Sequence, residues 1–207
     1  MNRIILFGPP ATGKGTQAKM LQSKLGIPHI STGDLLRDAI EKKTEIGKKA
    51  SALLLSGDLV PDEMVIALVK ERLSLSDCAS GFILDGFPRD VEQARRLSDI
   101  TPIDLVILIE SKNETIIERV IHREMCPTCG TIYGITLPSK KKGVCDKEGA
   151  ALIHRADDNR EAIAHRLEVY HHMTAPLIAF YGLRVRRVNG EQQADKILTD
   201  ILGILAS

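Results

Sequence analysis

The segment Ile4 to Gln17, IILFGPPATGKGTQ, constrains this chain more than any other. Ile4 to Phe7 is a short apolar run, β-branched at its start and stopped by Gly8, which predicts a buried strand. From Lys14 to Leu25 the apolar positions Ala18, Leu21 and Leu25 fall at helical spacing, so a helix is expected directly after Gly13. A glycine-rich loop between a strand and a helix N-terminus turns backbone N–H groups inward around an anion, and the helix end adds partial positive charge. Gly8-x-x-x-x-Gly13-Lys14 has that pattern, with Lys14 supplying a full charge for β- and γ-phosphates. The hydroxyl residue that usually follows the lysine is displaced: Gly15 stands there and Thr16 comes one position later. An ordinary Gly/Pro-rich connection is the plainer alternative, and the strand-to-helix context argues against it.

Further strand-like runs fall at Pro28 to Ile30, Gly81 to Leu84, Asp104 to Ile109 and Arg184 to Val188, separated by helical patterns. Such alternation predicts an α/β fold in which helices cover both faces of a central parallel sheet. Two stretches break it. Residues 31–60 form a helical insert that Ser31 or Thr32 can cap, and residues 122–159 are rich in Gly, Pro, Lys and Cys with short β-like pieces such as GTIYGITL. The chain is thus expected to divide into core 1–30, insert 31–60, core 61–121, a second insert 122–159 and core 160–207, both inserts being candidate mobile subdomains. After the second insert, helical periodicity resumes through Ile163, Leu167 and Tyr170 with a break at Pro176. The terminal stretch places Ile197, Leu198, Ile201, Leu202 and Leu205 on one face, to pack on the sheet.

A formal net charge of +1 over 207 residues provides no global field for nucleic acid or a membrane surface, so anion recognition must be local and its partner small. The absence of Trp and an aromatic content of 3% argue against base-stacking platforms. The apolar run after MNR is too short for a signal-peptide core and no run reaches membrane-spanning length, which points to the cytoplasm. In that reducing compartment, the clustering of Cys126, Cys129 and Cys145 suggests metal before disulfide. Cys126-x-x-Cys129 with Cys145-x-x-Glu148 has the spacing of two knuckles of a structural zinc site. Asp146, His154 or water are alternatives to Glu148 as the fourth ligand. Cys78 stands apart as a small buried or half-buried residue.

Asp85 ends a predicted strand in FILDGFPRD, where a carboxylate beside a phosphate loop can hold Mg²⁺ or its waters. Its plainer reading is an acidic turn residue beside Gly86. Arg37, Arg89, Arg119, Arg123, Arg155 and Arg166 lie in different segments, each at a motif or an insert boundary. Singly they read as solvated surface residues. Together with a phosphate loop they can converge on phosphate oxygens and neutralise charge spreading in phosphoryl transfer.

The stretches GPPATGKGTQ, ISTGDLLR, GDLVPDE, GFILDGFPR, CPTCG, RADDN and RLEVYHHMTAPLI, in that order, make the chain resemble the adenylate kinases over essentially its whole length, in the longer form whose lid carries a zinc-binding cysteine motif. The resemblance implies reversible phosphoryl transfer from MgATP to AMP giving two ADP, on a core flanked by an AMP-binding insert (31–60) and a lid (122–159), in a monomer. It implies that Lys14 and the loop at Gly8, Gly13, Gly15 and Thr16 hold ATP, and that Arg119 lies near the ATP adenine. Arg123, Arg155 and Arg166 would stabilise the transferred group. Arg37 and Arg89 would hold the AMP phosphate, in a site that also takes in Leu59, Val60, Gly86, Arg155 and Arg166. Asp85 would bind magnesium through water, and Asp157 and Asp158 would orient the closed lid and its arginines. Thr32 and Gln93 fit the adenine-recognising pattern; UMP- and CMP-specific relatives usually carry Ala at the Thr32 position. Ala11 departs from the family's usual Gly, at a cost of roughly 1 kcal/mol if φ is positive there. A nucleotide-gated switch is the alternative from another class, disfavoured by the lack of an N-K-x-D guanine motif.

Overall fold

A computed structural model describes residues 2–56 and 58–206; Gly57, which opens the GDLVPDE stretch, lies outside the described residues. The first strand, β1 (Asn2–Phe7), leads through the glycine-rich loop into α1 (Lys14–Leu25), as the sequence predicts. The other strands of the main sheet are β2 (His29–Ser31), β3 (Gly81–Asp85), β4 (Leu105–Glu110) and β7 (Val185–Asn189), each within a residue of its predicted bounds. They run parallel in the order β2-β3-β1-β4-β7. Leu6 and Ser31 both pair with Asp85, so the phosphate loop, the start of the helical insert and Asp85 leave the sheet at one carboxyl edge. Crevices at such edges are where open parallel sheets bind ligands.

Successive side chains of a strand point to opposite faces, and the core divides accordingly. Ile4, Leu6, Ile83, Ile107 and Ile109 pack beneath Ala18 and Leu21 of α1 and Ile197, Leu198 and Ile201 of α9 (Ala194–Leu205), the terminal helix expected there. Ile5, Phe7, Leu84, Val106 and Leu108 face the opposite way. That second cluster continues into Leu36 of α2 (Thr32–Glu41), Ala50 of α3 (Glu45–Ser56), Val60, and Val65 and Val69 of α4 (Asp62–Leu73). The helical insert therefore shares the main core. Of the two candidate caps it is Ser31 that acts, its hydroxyl accepting from the N–H of Asp34.

Segment 122–159 is built differently. It follows α6 (Asn113–Ile121) and holds only a two-residue ladder, β5 (Glu124–Met125) with β6 (Ile132–Tyr133), and three isolated bridges. Its own small cluster consists of Cys126, Tyr133 and Cys145, with Cys129, Ala150 and Leu152 against it. The chain returns through α7 (Arg160–Val169), capped by Asn159, whose side chain accepts from the Ala162 N–H. A π-helical turn at Tyr170–Thr174 follows, and α8 (Leu177–Tyr181) begins just beyond Pro176. Proline offers no N–H to the preceding turn, and the hydroxyl of Thr174 in the loosened turn donates to the carbonyl of Arg89 at 2.7 Å. The predicted break thus fastens α7 to the segment after β3 (α5, Val91–Ile100, begins just beyond). Among the described residues, no helix is long and apolar enough to cross a membrane.

Candidate active site

A cavity of about 360 Å³ opens at the carboxyl edge of the sheet, between the helical insert and segment 122–159. Its floor is the phosphate loop. Gly8 has φ +137°, and a Cβ there would lie 2.2 Å from the Ile109 carbonyl oxygen, so only glycine lets the loop leave the sheet so close to β4. Gly15 answers the displaced-hydroxyl pattern: a Cβ at this position would stand 3.4 Å from Asp85 Oδ2, so a larger side chain would crowd the carboxylate, while Thr16 lines the cavity. Ala11 does adopt positive φ, at 57°, and its methyl packs against the cluster formed by Ile116, Val120, Ile163 and Leu167.

Of the residues expected in a nucleotide site, Gly8, Gly13, Lys14, Gly15, Thr16, Arg37, Leu59, Asp85, Gly86, Arg89, Arg119, Arg123, Arg155, Asp157 and Arg166 line this cavity. Among the described residues its wall carries eight Lys or Arg side chains against four Asp. A nearly neutral chain has concentrated its positive charge in one place.

The cations differ in how they are held. Lys14 Nζ donates to the carbonyls of Gly8 at 2.9 Å and Pro9 at 2.6 Å. Burial pushes its pKa down to about 8, Arg89 and Arg123 push the same way, and Asp85 opposes them. Arg89 is fixed from both sides: its N–H donates to Gln93 Oε1 at 2.8 Å, its carbonyl receives Thr174, and its Nε donates to the Gly86 carbonyl at 2.8 Å. Burial, then Arg166, lowers its pKa against the pull of Asp85. Arg123 forms a two-pronged pair with Asp158, whose carboxylate is fully buried beneath it. Arg166 donates to Asp157 at 2.6 Å and to the Leu54 carbonyl at 3.2 Å, tying α7 to the end of α3. Arg155 is the exception. Its Nε is buried with no hydrogen-bond partner, and among the described residues it forms no ion pair. Burial, with the nearby charges of Arg37 and Arg123, lowers its pKa to about 10.

Four expected residues lie off the wall. Gln93 is 1% exposed, and its amide is already used: Oε1 accepts from Arg89 and Nε2 donates to Asp62 at 2.7 Å. In this structure the amide is engaged within the chain, where it sets the backbone of Arg89. Thr32 is also buried, its hydroxyl donating to the Gly86 carbonyl at 2.9 Å. Val60 belongs to the main core, and Asp158 lies behind Arg123. Conversely, the cavity takes in Lys19, His29 and Asp34, which the sequence reading passed over. His29 Nε2 is buried, unpartnered and 3.6 Å from Asp85 Oδ2. Asp34 pairs with Arg37 at 2.6 Å, a contact that the i, i+3 spacing signals. No pattern in the sequence marks Lys19, which lies on a helix surface until segment 122–159 folds over it.

In that segment the sulfurs of Cys126, Cys129 and Cys145 lie within 4.8 Å of one another. The N–H of Cys129 points to Cys126 Sγ at 3.5 Å, and the Tyr133 hydroxyl lies 3.5 Å from Cys145 Sγ. Burial would raise the Cys145 thiol, but that hydroxyl and the N–H groups of Glu148 and Lys147 outweigh it and hold the pKa below the usual thiol range. Three gathered sulfurs, with N–H groups favouring the thiolate, fit a soft-ligand cation such as Zn²⁺. Glu148 does not complete the set as expected: its carboxylate is outside the group and its side chain is exposed, because here residue 148 turns its backbone N–H toward Cys145. The alternatives also point elsewhere. Asp146 accepts from the Lys140 N–H, and His154 Nδ1 contacts the Arg123 carbonyl. Cys78 is buried as expected, beside Arg72.

A family model described as adenylate kinase matches residues 6–185. The chain is 47% identical to an adenylate kinase of Oceanobacillus iheyensis over 211 residues, covering 98% of each chain. It is 48% identical over 202 residues to one of Caldicellulosiruptor saccharolyticus, covering 93% of this chain and 94% of the other. For one of Bacillus subtilis the identity is 44% over 210 residues, with 98% and 97% covered.

Proposed function

The chain belongs to the adenylate kinase family and is a nucleoside monophosphate kinase, and on that premise we propose that it transfers the γ-phosphoryl group of MgATP reversibly to AMP, giving two ADP. The observation that carries this reading is the half-buried Arg155, whose Nε is buried without a hydrogen-bond partner, facing the same cavity as Lys14. An unsatisfied buried cation is unfavourable until an anion arrives. The polyphosphate is that anion.

In this reading the loop from Gly8 to Thr16 and Lys14 hold the ATP phosphates. Lys14 exchanges its two carbonyl partners for phosphate oxygens. Arg37 and Arg89 receive the AMP phosphate, with Gly86 and Leu59 beside it, and Arg119 lies toward the ATP base. An AMP phosphate oxygen attacks the γ-phosphorus while the bond to the β-phosphate oxygen breaks and ADP leaves. No general base is needed, because the attacking oxygen is already anionic; the site supplies alignment and charge neutralisation. Arg123, Arg155 and Arg166 take up the charge on the transferred group, with Asp158 and Asp157 holding two of them in place. Asp85, at the carboxyl edge beside Gly15, would hold Mg²⁺ through water, and that ion would neutralise charge on the β- and γ-phosphates. Gln93 positions Arg89, and it reads an adenine edge only by exchanging Asp62.

In the lid, Cys126, Cys129 and Cys145 would bind a structural zinc ion. Its fourth position falls to a solvent molecule or to Glu148 after a side-chain rotation. The enzyme acts on small molecules as a monomer, in a reducing cytoplasm that keeps the lid thiols free. A coupled assay with ATP and each of AMP, UMP, CMP and GMP tests the assignment. Turnover with AMP exceeding the others by at least about a hundredfold is expected from a hydrogen-bonding base site; comparable rates with UMP or CMP would overturn it.

A further inference from the structure

We propose that Lys19 is a positioning residue that latches the lid onto the phosphate-loop helix, stabilising the closed enzyme around ATP without touching the reacting atoms. Lys19 lies one turn and a half past Lys14 on α1. Its Nζ donates to the carbonyl of Gly130 at 2.5 Å, a residue distant in sequence that closes the CPTCG knuckle. Among the described residues this is the one hydrogen bond that joins the knuckle to the core. Asp34 and Cys129 attract the ammonium from two sides, while Arg155 and Lys147 repel it. Gly130 has φ +61°, and a Cβ on it would stand 3.0 Å from Nζ, so the lysine fills the space beside a glycine whose backbone is turned to meet it.

The bond exists only while the knuckle rests against α1, whose N-terminus is where the phosphate loop would place the phosphates of ATP. A contact present in one of two conformations shifts their equilibrium by its own free energy. Lys19 therefore favours nucleotide retention and opposes lid opening.

The latch rests on the ATP:AMP reading, and the experiment separates the two. Lys19→Met keeps the aliphatic stem and removes the donor, whereas Lys19→Arg keeps a donor. In Lys19→Met, KM for ATP and the calorimetric Kd of diadenosine pentaphosphate should both rise about three- to tenfold, the range for one hydrogen bond net of competition from water in a half-exposed site. The kcat should stay level or increase, because release follows lid opening. Melting should shift by less than about 2 °C, and Lys19→Arg should restore most of the ATP affinity. Unchanged KM and Kd in Lys19→Met would overturn the latch, as would a fall in kcat at constant KM or an arginine variant no better than methionine. A parent protein with no turnover on ATP plus AMP would overturn the functional reading instead.

Discussion

The cavity and the lid each gather like groups from which water is partly excluded, cations in the one and thiols in the other. In the cavity, Lys14, Arg89 and Arg155 are crowded together and half-buried, so that burial weakens the hold of each on its proton. In the lid, the sulfurs of Cys126, Cys129 and Cys145 converge and the Cys145 thiolate is favoured. The cavity assembles its cations from α1, the helical insert, the segment after β3 and the lid boundaries, so its arrangement depends on several separate elements. The lid cluster is made within one short segment, and besides the cysteines it packs only Tyr133, Ala150 and Leu152. The first arrangement suits a ligand that comes and goes, the second an ion that stays and replaces a core. The difference separates activity from stability.

Substitutions on the two sides should therefore fail differently. The largest effect is expected for Lys14→Met, which should lower kcat by about 10²- to 10³-fold while the melting temperature holds or rises, since a desolvated cation has been removed. Steady-state kinetics beside a thermal melt checks this; activity within a few-fold of the parent removes Lys14 from the site. Arg155→Met should follow with a loss of roughly a hundredfold in kcat and a gain of roughly 2–4 °C in melting temperature. A fall in melting temperature for this variant would show that its guanidinium already has a partner in solution.

On the lid side the signs reverse. Chelation of metal, or Cys126→Ser, should lower the melting temperature by roughly 5–10 °C through loss of a ligand bound only to the folded lid, while kcat well below the melting range stays within about threefold. Proportional loss of kcat would show that the two clusters are one functional unit. Metal titration of Glu148→Ala and Glu148→Cys sharpens the point: unchanged metal affinity in both variants places the fourth ligand elsewhere than residue 148, whereas a thiolate in the fourth position should tighten binding.

The smallest signal is a fractional proton. Phosphate oxygens placed on Lys14 favour its charged form and raise a pKa of about 8, so ATP binding near pH 8.5 should take up a fraction of a proton from the buffer. At pH 6.5 the amine is already charged in both states and the uptake should vanish. Calorimetry in two buffers of different ionisation enthalpy measures it, and equal uptake at the two pH values would place its origin in another group.

Strand and helix positions were legible because each element obeys local rules: the stop at Gly8, the helical spacing of Ala18, Leu21 and Leu25, the missing N–H of Pro176. The arginines and the thiol spacing were legible as chemistry for the same reason, since motif spacing sets which backbone and side-chain groups can converge. The sequence was silent where partners come from far along the chain. Gln93 reads as a free amide until α4 brings Asp62 against it, and Glu148 reads as a ligand until the knuckle turns its backbone, not its carboxylate, toward Cys145.

Local pattern was enough for the phosphate loop, the parallel sheet and the residue types suited to phosphate and metal, because periodicity and backbone conformation act over a few residues. Only the tertiary structure decided which cations are paired and which are left waiting. Arg123 and Arg166 find Asp158 and Asp157, the Nε of Arg155 finds no acceptor, and Lys19 meets Gly130 across the cleft. Whether a charge is satisfied depends on the distances and dehydration created when separate segments close on one another, and no local pattern carries that information.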